Sequence, residues 1–356
     1  MDRFLERPKG APSVDKNEKG ASAVEKQTEP QIQPWVEKHR PRTMEDVCAQ
    51  DNAVRVLERS ISNLPHMLFY GPPGTGKTST ILALCRTLYG PSFRSRVLEL
   101  NASDERGISV IREKVKSFAR SAVAPAAPGF PSPNFKIIIL DEADSMTNDA
   151  QSALRRILET HSRTTRFCLI CNYISRIIEP LTSRCAKFRF RPLDSSSAIS
   201  RLRYICDAEN VSCSDDLLQE VVRVSQGDLR RAVTYLQSAS RLPPITTESI
   251  NEIAGRVPPA VSENLGKALG LSDPASTDVD NIILAVDNIV RLGYSAFQVL
   301  TQLHDLIILS PTLPSRAKAT IAIQLAEADK RLTDGADEHL QLLDTACKIH
   351  GALARA

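Results

Sequence analysis

Nowhere in these 356 residues is there an apolar run long enough to cross a bilayer as a helix. Residues 1–34 carry charges where a signal peptide would need an apolar centre, so an intracellular protein with no membrane partner is expected. The eight cysteines lack the even spacing of a disulfide framework and read as reduced thiols packed as small apolar groups. Cys168 and Cys171 form a C-x-x-C, but no second pair completes a zinc site. The stretch Arg166-Phe-Cys-Leu-Ile-Cys-Asn172 reads as a buried strand, where side chains three apart face opposite ways, so both thiols are assigned to the core. An excess of one charge is missing too. With 45 basic and 42 acidic residues the formal charge is +3, too mild to announce a nucleic-acid protein, and any such role must rest on placed residues. No internal repeat is evident.

The length suggests two or three domains, and 42% hydrophobic residues are ample for their cores. Residues 1–33, rich in Lys, Glu, Pro, Gly and Ser, bury too little to offset the entropy of ordering and are expected to be a disordered tail. Over 34–192 short apolar strands alternate with helical patterns: Met67-Leu-Phe-Tyr70, Val97-Leu-Glu-Leu100, Lys136-Ile-Ile-Ile-Leu140, Phe167-Cys-Leu-Ile170 and Lys187-Phe-Arg-Phe190. That alternation predicts an α/β domain, a parallel sheet covered by helices on both faces. A Pro-, Ala- and Gly-dense loop over 124–133 precedes the third strand. After residue 192 the strands stop. Amphipathic helices are predicted at 195–210, 214–225 and 228–241, making a small helical domain over 193–256. A Pro-rich link at 242–245 follows, and then an all-helical region over 257–356 with helices at 279–292, 295–309, 313–332 and 336–353.

The chemistry begins at Gly71-Pro72-Pro73-Gly74-Thr75-Gly76-Lys77-Thr78, a glycine-rich loop between an apolar strand and a helical run. Glycines at 71, 74 and 76 let the backbone bend and approach phosphates, so that successive N–H groups and the helix N-terminus point at negative charge. Lys77 supplies a cation to the β- and γ-phosphates, and the Thr78 hydroxyl can hold Mg²⁺. About sixty residues later, Ile137-Ile-Ile-Leu-Asp-Glu-Ala-Asp144 ends a strand in carboxylates, at the sheet edge where ligands bind. Asp141 is placed to hold Mg²⁺ directly or through water, and Glu142 to orient and deprotonate an attacking water, which points to hydrolysis of ATP rather than mere binding. Asp144 is open between such a role and an acidic strand end that only starts the next helix.

Three further groups have two readings each. Asn172 ends the next strand, where its amide can meet the water or γ-phosphate, or serve in a turn. Arg184, in Ser183-Arg-Cys185, is either a structural pair or an arginine finger reaching a neighbouring subunit's nucleotide. Gly227-Asp-Leu-Arg-Arg231 opens a helix and offers Arg230 to the phosphates, or is a helix cap with two surface charges.

Taken in order, Trp35-Val-Glu-Lys-His-Arg-Pro41, the loop at 71–78, Asn101-Ala-Ser-Asp-Glu-Arg-Gly107, Asp141-Glu-Ala-Asp144, Asn172, Ser183-Arg-Cys185 and Gly227-Asp-Leu-Arg-Arg-Ala232 resemble the small subunits of the eukaryotic clamp loader, replication factor C. The resemblance runs from Trp35 to the C-terminus. It implies an AAA+ ATPase: an αβα nucleotide domain, a helical lid and a C-terminal collar. It also implies a nuclear heteropentamer with one large and three other small subunits, which uses ATP to open the sliding clamp and place it on primer-template DNA in replication and repair. By resemblance Lys77 and Thr78 are Walker A residues, Asp141 and Glu142 Walker B acids, Asn172 sensor 1 and Arg230 sensor 2. Arg184 would act in trans, and Val36, Arg40 and Pro41 would cover the adenine. The sequence departs from the family's pattern at His39, where tyrosine is usual, and at Cys48-Ala49, where Val-Gly is common.

A helix predicted from Ser109 to Arg120 places Arg112 and Lys116 four apart on one face, where both could meet one strand's phosphates or simply be solvated. In the resembling family this helix, and the one beginning near Thr147, track the DNA backbone, and Arg112 falls on a phosphate-contact position. No interleaved aromatics indicate base readout. Two other classes remain as alternatives, a helicase-type remodeller and a non-catalytic assembly subunit. The all-helical second half leaves no room for a second RecA-like domain, and the intact Lys77, Asp141 and Glu142 argue against the second.

Overall fold

A computed structural model describes residues 33–47, 49–103, 108–123, 125, 128–242, 244–271, 278–311 and 313–355, with backbone alone for Ser62 and for 108–112. The tail expected over 1–33 lies outside the described residues up to residue 32, as do Cys48 and residues 104–107.

Five strands form one sheet: β1 (Met67–Tyr70), β2 (Val97–Asn101), β3 (Lys136–Asp141), β4 (Thr165–Cys171) and β5 (Ala186–Arg189). Their order is β2-β3-β4-β1-β5 and every pairing is parallel, with Leu68 beside Leu169 and Lys187, and Asn101 beside Asp141. Parallel neighbours require crossovers, and these run through α3 (Lys77–Tyr89), α4 (Phe93–Arg96), α5 (Ile108–Arg120), α6 (Asn148–Thr160) and α7 (Glu179–Thr182), while α1 (Trp35–Lys38) and α2 (Asp51–Arg59) precede β1. Strict alternation sorts the strand side chains between two cores. Leu68, Ile138, Leu140, Phe167, Leu169 and Cys171 pack on one face against α5 and α6, whereas Phe69, Ile137, Ile139, Cys168 and Ile170 pack on the other against α3. Cys168 and Cys171 therefore serve opposite cores, as the strand reading expected. Burial raises both thiol pKa values, that of Cys171 to about 12.

The rest of the chain is helical: α8 (Ser195–Glu209), α9 (Asp215–Val224), α10 (Leu229–Ala239), α11 (Thr247–Ile253), α12 (Pro259–Leu269), α13 (Val279–Arg291), α14 (Ala296–Leu309), α15 (Ser315–Thr333) and α16 (Glu338–Leu353). Helices α8 to α11 close around Leu202, Ile205, Leu218, Val221, Val233, Leu236 and Ile250, and α12 to α16 around a separate cluster that includes Leu269, Ile282, Ile321 and Ile349. Trp35 joins the first of these helical cores, although it precedes the sheet in sequence, and its N–H donates to Gln237 Oε1 at 3.1 Å. Local caps start several helices. Thr147 Oγ1 accepts from Ala150 N and Ser214 Oγ from Leu217 N, while Thr246 and Ser249 cap α11 reciprocally just after the Pro-rich link.

Candidate functional site

The carboxyl edges of β1, β3 and β4 open into a cavity that the P-loop walls on one side and α1, α8 and α10 on the other. Lys77, the first residue of α3, is 7% exposed. Its Nζ donates to the carbonyls of Gly71 and Pro72, each at 2.8 Å, and to Asn172 Oδ1 at 3.0 Å. Burial pulls the ammonium pKa down, with the Asp141 charge partly offsetting it. Three oxygen acceptors thus aim the cation along the loop, and the Asn172 amide belongs to this constellation.

Thr78 Oγ1 donates to Asp141 Oδ2 at 2.7 Å, and Asp141 Oδ1 accepts the Glu142 N–H at 2.9 Å. Glu142 sits in the left-handed region with φ 53° and ψ 39°, and its carbonyl accepts from Ser145 N at 2.9 Å and Ser145 Oγ at 2.7 Å. Such a backbone costs a non-glycine residue on the order of 1 kcal/mol and persists where surrounding bonds hold it. The result is an exposed carboxylate that lines the cavity beside Asp141. Asp144, left open by the sequence, has a definite place: its Oδ2 accepts the N–H groups of Asn172 and Tyr173 at 3.2 and 3.3 Å, fixing the end of β4 where Asn172 emerges.

Two glycines hold the loop by what they lack. A Cβ on Gly74 (φ +69°) would stand 1.9 Å from Asp228 Oδ1, and one on Gly71 2.2 Å from the Phe190 carbonyl oxygen. The same Asp228 carboxylate caps α10, accepting from Arg230 N at 2.9 Å and Arg231 N at 3.2 Å. The helix-cap reading of residues 227–231 therefore holds, and Arg230 also lines the cavity.

Val36, Arg40, Pro41, Pro73, Thr75 and Gly76 line the cavity as the sequence expected, while Gly71 and Pro72 contribute through the carbonyls that hold Lys77. On the opposite wall the sequence pointed to Val36, Arg40, Pro41 and Arg230 but not to Leu193, Arg201, Ile205, Leu229 and Val233. Helical apolar spacing hints at Ile205, Leu229 and Val233 and equally serves a core, whereas Leu193 precedes α8 and Arg201 is charged. The Thr78 hydroxyl and the Asp141 carboxylate suit a hard cation such as Mg²⁺. Among the described residues no cluster of three or more His, Cys, Asp or Glu could hold a metal, so phosphate and water oxygens would have to complete the shell.

Arg184 is not among the cavity's lining residues. Its Nη1 donates to the Pro180 carbonyl at 2.8 Å and its Nη2 meets Glu159 Oε1 at 2.8 Å, and it remains 37% exposed. The hydrogen bond from Arg155 holds the Glu159 carboxyl below its usual pKa, with Arg184 adding to the effect. The structural-pair reading is thus met within one chain, and the guanidinium faces outward. Buried Gln151 sets the approach to α7, donating to the Met146 and Arg176 carbonyls and accepting the Ile178 N–H at 2.8 Å. Lys116 is half-buried on α5, and the Arg112 side chain lies outside the described residues.

Comparison with known proteins fits this geometry. Residues 67–193 match the ATPase family associated with various cellular activities (AAA), residues 200–241 the RCF1/5-like AAA+ ATPase lid domain, and residues 259–348 the replication factor C C-terminal domain. Replication factor C subunit 2 of Schizosaccharomyces pombe is 53% identical over 323 residues, 89% of this chain and 93% of that one. Replication factor C subunit 4 of Homo sapiens is 50% identical, covering 94% of this chain and 92% of its own length. That agrees with a resemblance to the animal subunit 4 carried by residues 167–180 and 335–342. The replication factor C small subunit of Aeropyrum pernix is 44% identical over 86% of this chain and 93% of its own. Among solved structures, a RuvB mutant from Thermotoga maritima shares the fold at 13% identity, with a TM-score of 0.51 over 75% of this chain and 92% of its own. At this identity over nearly the whole of its relatives, the chain belongs to the replication factor C small-subunit family of AAA+ ATPases.

Proposed function

We propose that the chain is an ATP-hydrolysing subunit of a clamp loader, which with one large and three other small subunits opens a sliding clamp and loads it onto primer-template DNA in the nucleus. The observation that carries this reading is the convergence of Lys77, Thr78, Asp141, Glu142, Asn172 and Arg230 on one cavity while Arg184 faces outward from it. In this reading 34–192 is the ATPase domain, 193–256 the lid and 257–356 the collar.

The chain's own residues supply the chemistry. P-loop N–H groups and the Lys77 ammonium hold the β- and γ-phosphates, and Arg230 approaches the same phosphates from the lid. Glu142 takes a proton from water as its oxygen attacks the γ-phosphorus and the bond to the leaving ADP oxygen breaks, while Asn172 orients that water. Mg²⁺, held at Thr78 and Asp141, would neutralise phosphate charge when bound. Val36, Arg40 and Pro41 cover the adenine. Arg112 and Lys116 on α5 contact the DNA backbone without reading bases.

Arg184 is the test, because a finger in trans matters only at another subunit's site. In a mixed complex in which only the neighbouring site is competent, Arg184→Ala should leave this chain's ATP binding intact and slow DNA- and clamp-stimulated turnover at that neighbour, by roughly 10³-fold if the finger carries its usual share. Unchanged turnover there would reduce Arg184 to the Glu159 and Pro180 contacts it makes within its own chain.

A further inference from the structure

The segment over residues 35–41 and helix α8 both line the cavity, and they are bonded to each other across more than 160 residues of sequence. His39 Nε2 meets Glu209 Oε1 at 2.5 Å, Lys38 Nζ meets the same oxygen at 2.7 Å, and Arg201 Nη2 donates to the His39 carbonyl at 2.7 Å. The pairing is sheltered: the His39 and Glu209 side chains are 10% and 13% exposed. Tyr204, one turn along α8, completes it, with its ring edge-on to His39 at 6.5 Å and beneath the Arg201 guanidinium at 4.9 Å. Just upstream, Trp35 is buried in the core of α8 to α10. Burial alone would push the Glu209 carboxyl pKa up, yet hydrogen bonds from Lys38 and His39 hold it below the usual range, so the clasp favours the charged form.

We infer that Glu209 and Arg201 are positioning residues for the nucleotide, clasping the 38–40 segment to α8 so that the wall facing the base is fixed by the lid helix. The inference rests on the nucleotide reading above and adds a role for residues that motif does not include. Glu209 does not line the cavity itself, so its effect on a ligand passes through His39 and Lys38. Arg201 lines the cavity and also grips the His39 main chain, a bond that does not depend on which side chain stands at position 39. Releasing the clasp frees the segment that closes over the base and leaves the P-loop bonds of Lys77 untouched, because the two sets share no atom.

The experiment compares Glu209→Gln with the parent in the assembled complex, measuring affinity for ATP and for inorganic tripolyphosphate, which has phosphates and no base, by competition against a labelled ATP analogue. The expected result is ATP bound about tenfold more weakly, as the weakening of the contacts from Lys38 and His39 implies. Tripolyphosphate affinity and turnover at saturating ATP should not change. Arg201→Lys, which keeps the charge but loses the reach to the His39 carbonyl, should weaken ATP in the same selective way and carries the test if Glu209→Gln does not fold. Unchanged ATP affinity in both variants overturns the inference, and so does a parallel loss for tripolyphosphate, which would mean general loosening. A parent complex that bound tripolyphosphate as tightly as ATP would sink the clasp but spare the phosphate cradle, whereas one that bound neither would sink the nucleotide reading itself.

Discussion

On the P-loop wall of the cavity, the polar contacts tie the loop and the start of α3 to each other and to the carboxyl ends of strands in one sheet: Lys77 to Gly71, Pro72 and Asn172, Thr78 to Asp141, and Asp144 to Asn172 and Tyr173. On the facing wall the contacts join segments far apart in sequence: Trp35 to Gln237, His39 to Glu209, Arg201 to the His39 carbonyl. One wall is set by a short motif at the edge of a rigid sheet, the other by how a helical domain packs on an N-terminal segment. The first should tolerate little and act on both phosphate binding and chemistry, and the second should give more readily and act on affinity alone.

Lys77→Ala should give the largest effect. It removes a buried cation and strips three acceptors of their donor, so ATP affinity should fall on the order of 100-fold or more, as the loss of charged hydrogen bonds to phosphate implies. Equilibrium binding checks this, and a loss no greater than that of Glu209→Gln would erase the distinction between the walls.

Gly74→Ala probes the place where the walls touch. Its methyl would strike Asp228 Oδ1, with the Asp228 Cα only 3.0 Å away, at a φ that costs an alanine roughly 1–2 kcal/mol. Asp228 would have to move, loosening the cap of α10 and the placement of Arg230. The expectation is about tenfold weaker ATP binding together with a lower unfolding temperature. Affinity lost with no change in unfolding temperature would mean that the lid does not rest on the loop.

His66, at the opposite edge of the sheet from the cavity, gives the smallest effect. Burial, with Arg166 nearby, pulls its pKa from 6.5 to about 4, and its Nδ1 accepts the Phe167 N–H at 3.2 Å, which needs the neutral ring. Between those two pH values the unfolded chain takes up a proton that the folded chain refuses. Stability is therefore complete above pH 6.5 and falls as the pH drops toward 4, by roughly 1 kcal/mol once solvent screening of a half-buried group is allowed for. Denaturant titrations of His66→Gln should lack that part of the pH dependence without any change in ATP binding near neutrality.

The contrast between the walls also explains what could be read before folding. The strands were visible because β-branched runs such as 137–139 have one place to go, and the P-loop because its glycines and lysine are consecutive. Helices α8 to α10 and α13 to α16 fell within a few residues of their expected ends. Helix α11 did not show, since its seven residues follow a Pro-rich link and depend on the reciprocal Thr246–Ser249 cap. Asp144 stayed ambiguous because its partners arrive only when β4 pairs with β3. His39 stands out in the sequence as an unusual residue, but Glu209 does not, because a carboxylate at the end of an amphipathic helix looks like any other until α8 packs beside residue 39.

The reading on which the rest depends is that this chain's own cavity hydrolyses ATP, with Glu142 as the base. The most direct measurement is a single-turnover assay of Glu142→Gln in the assembled complex with the other sites disabled. ATP should bind with near-parent affinity, since Lys77, Thr78 and Asp141 keep their contacts, and cleavage should slow by roughly 10²-fold or more, the usual share of a positioned base. Cleavage at the parent rate would contradict it.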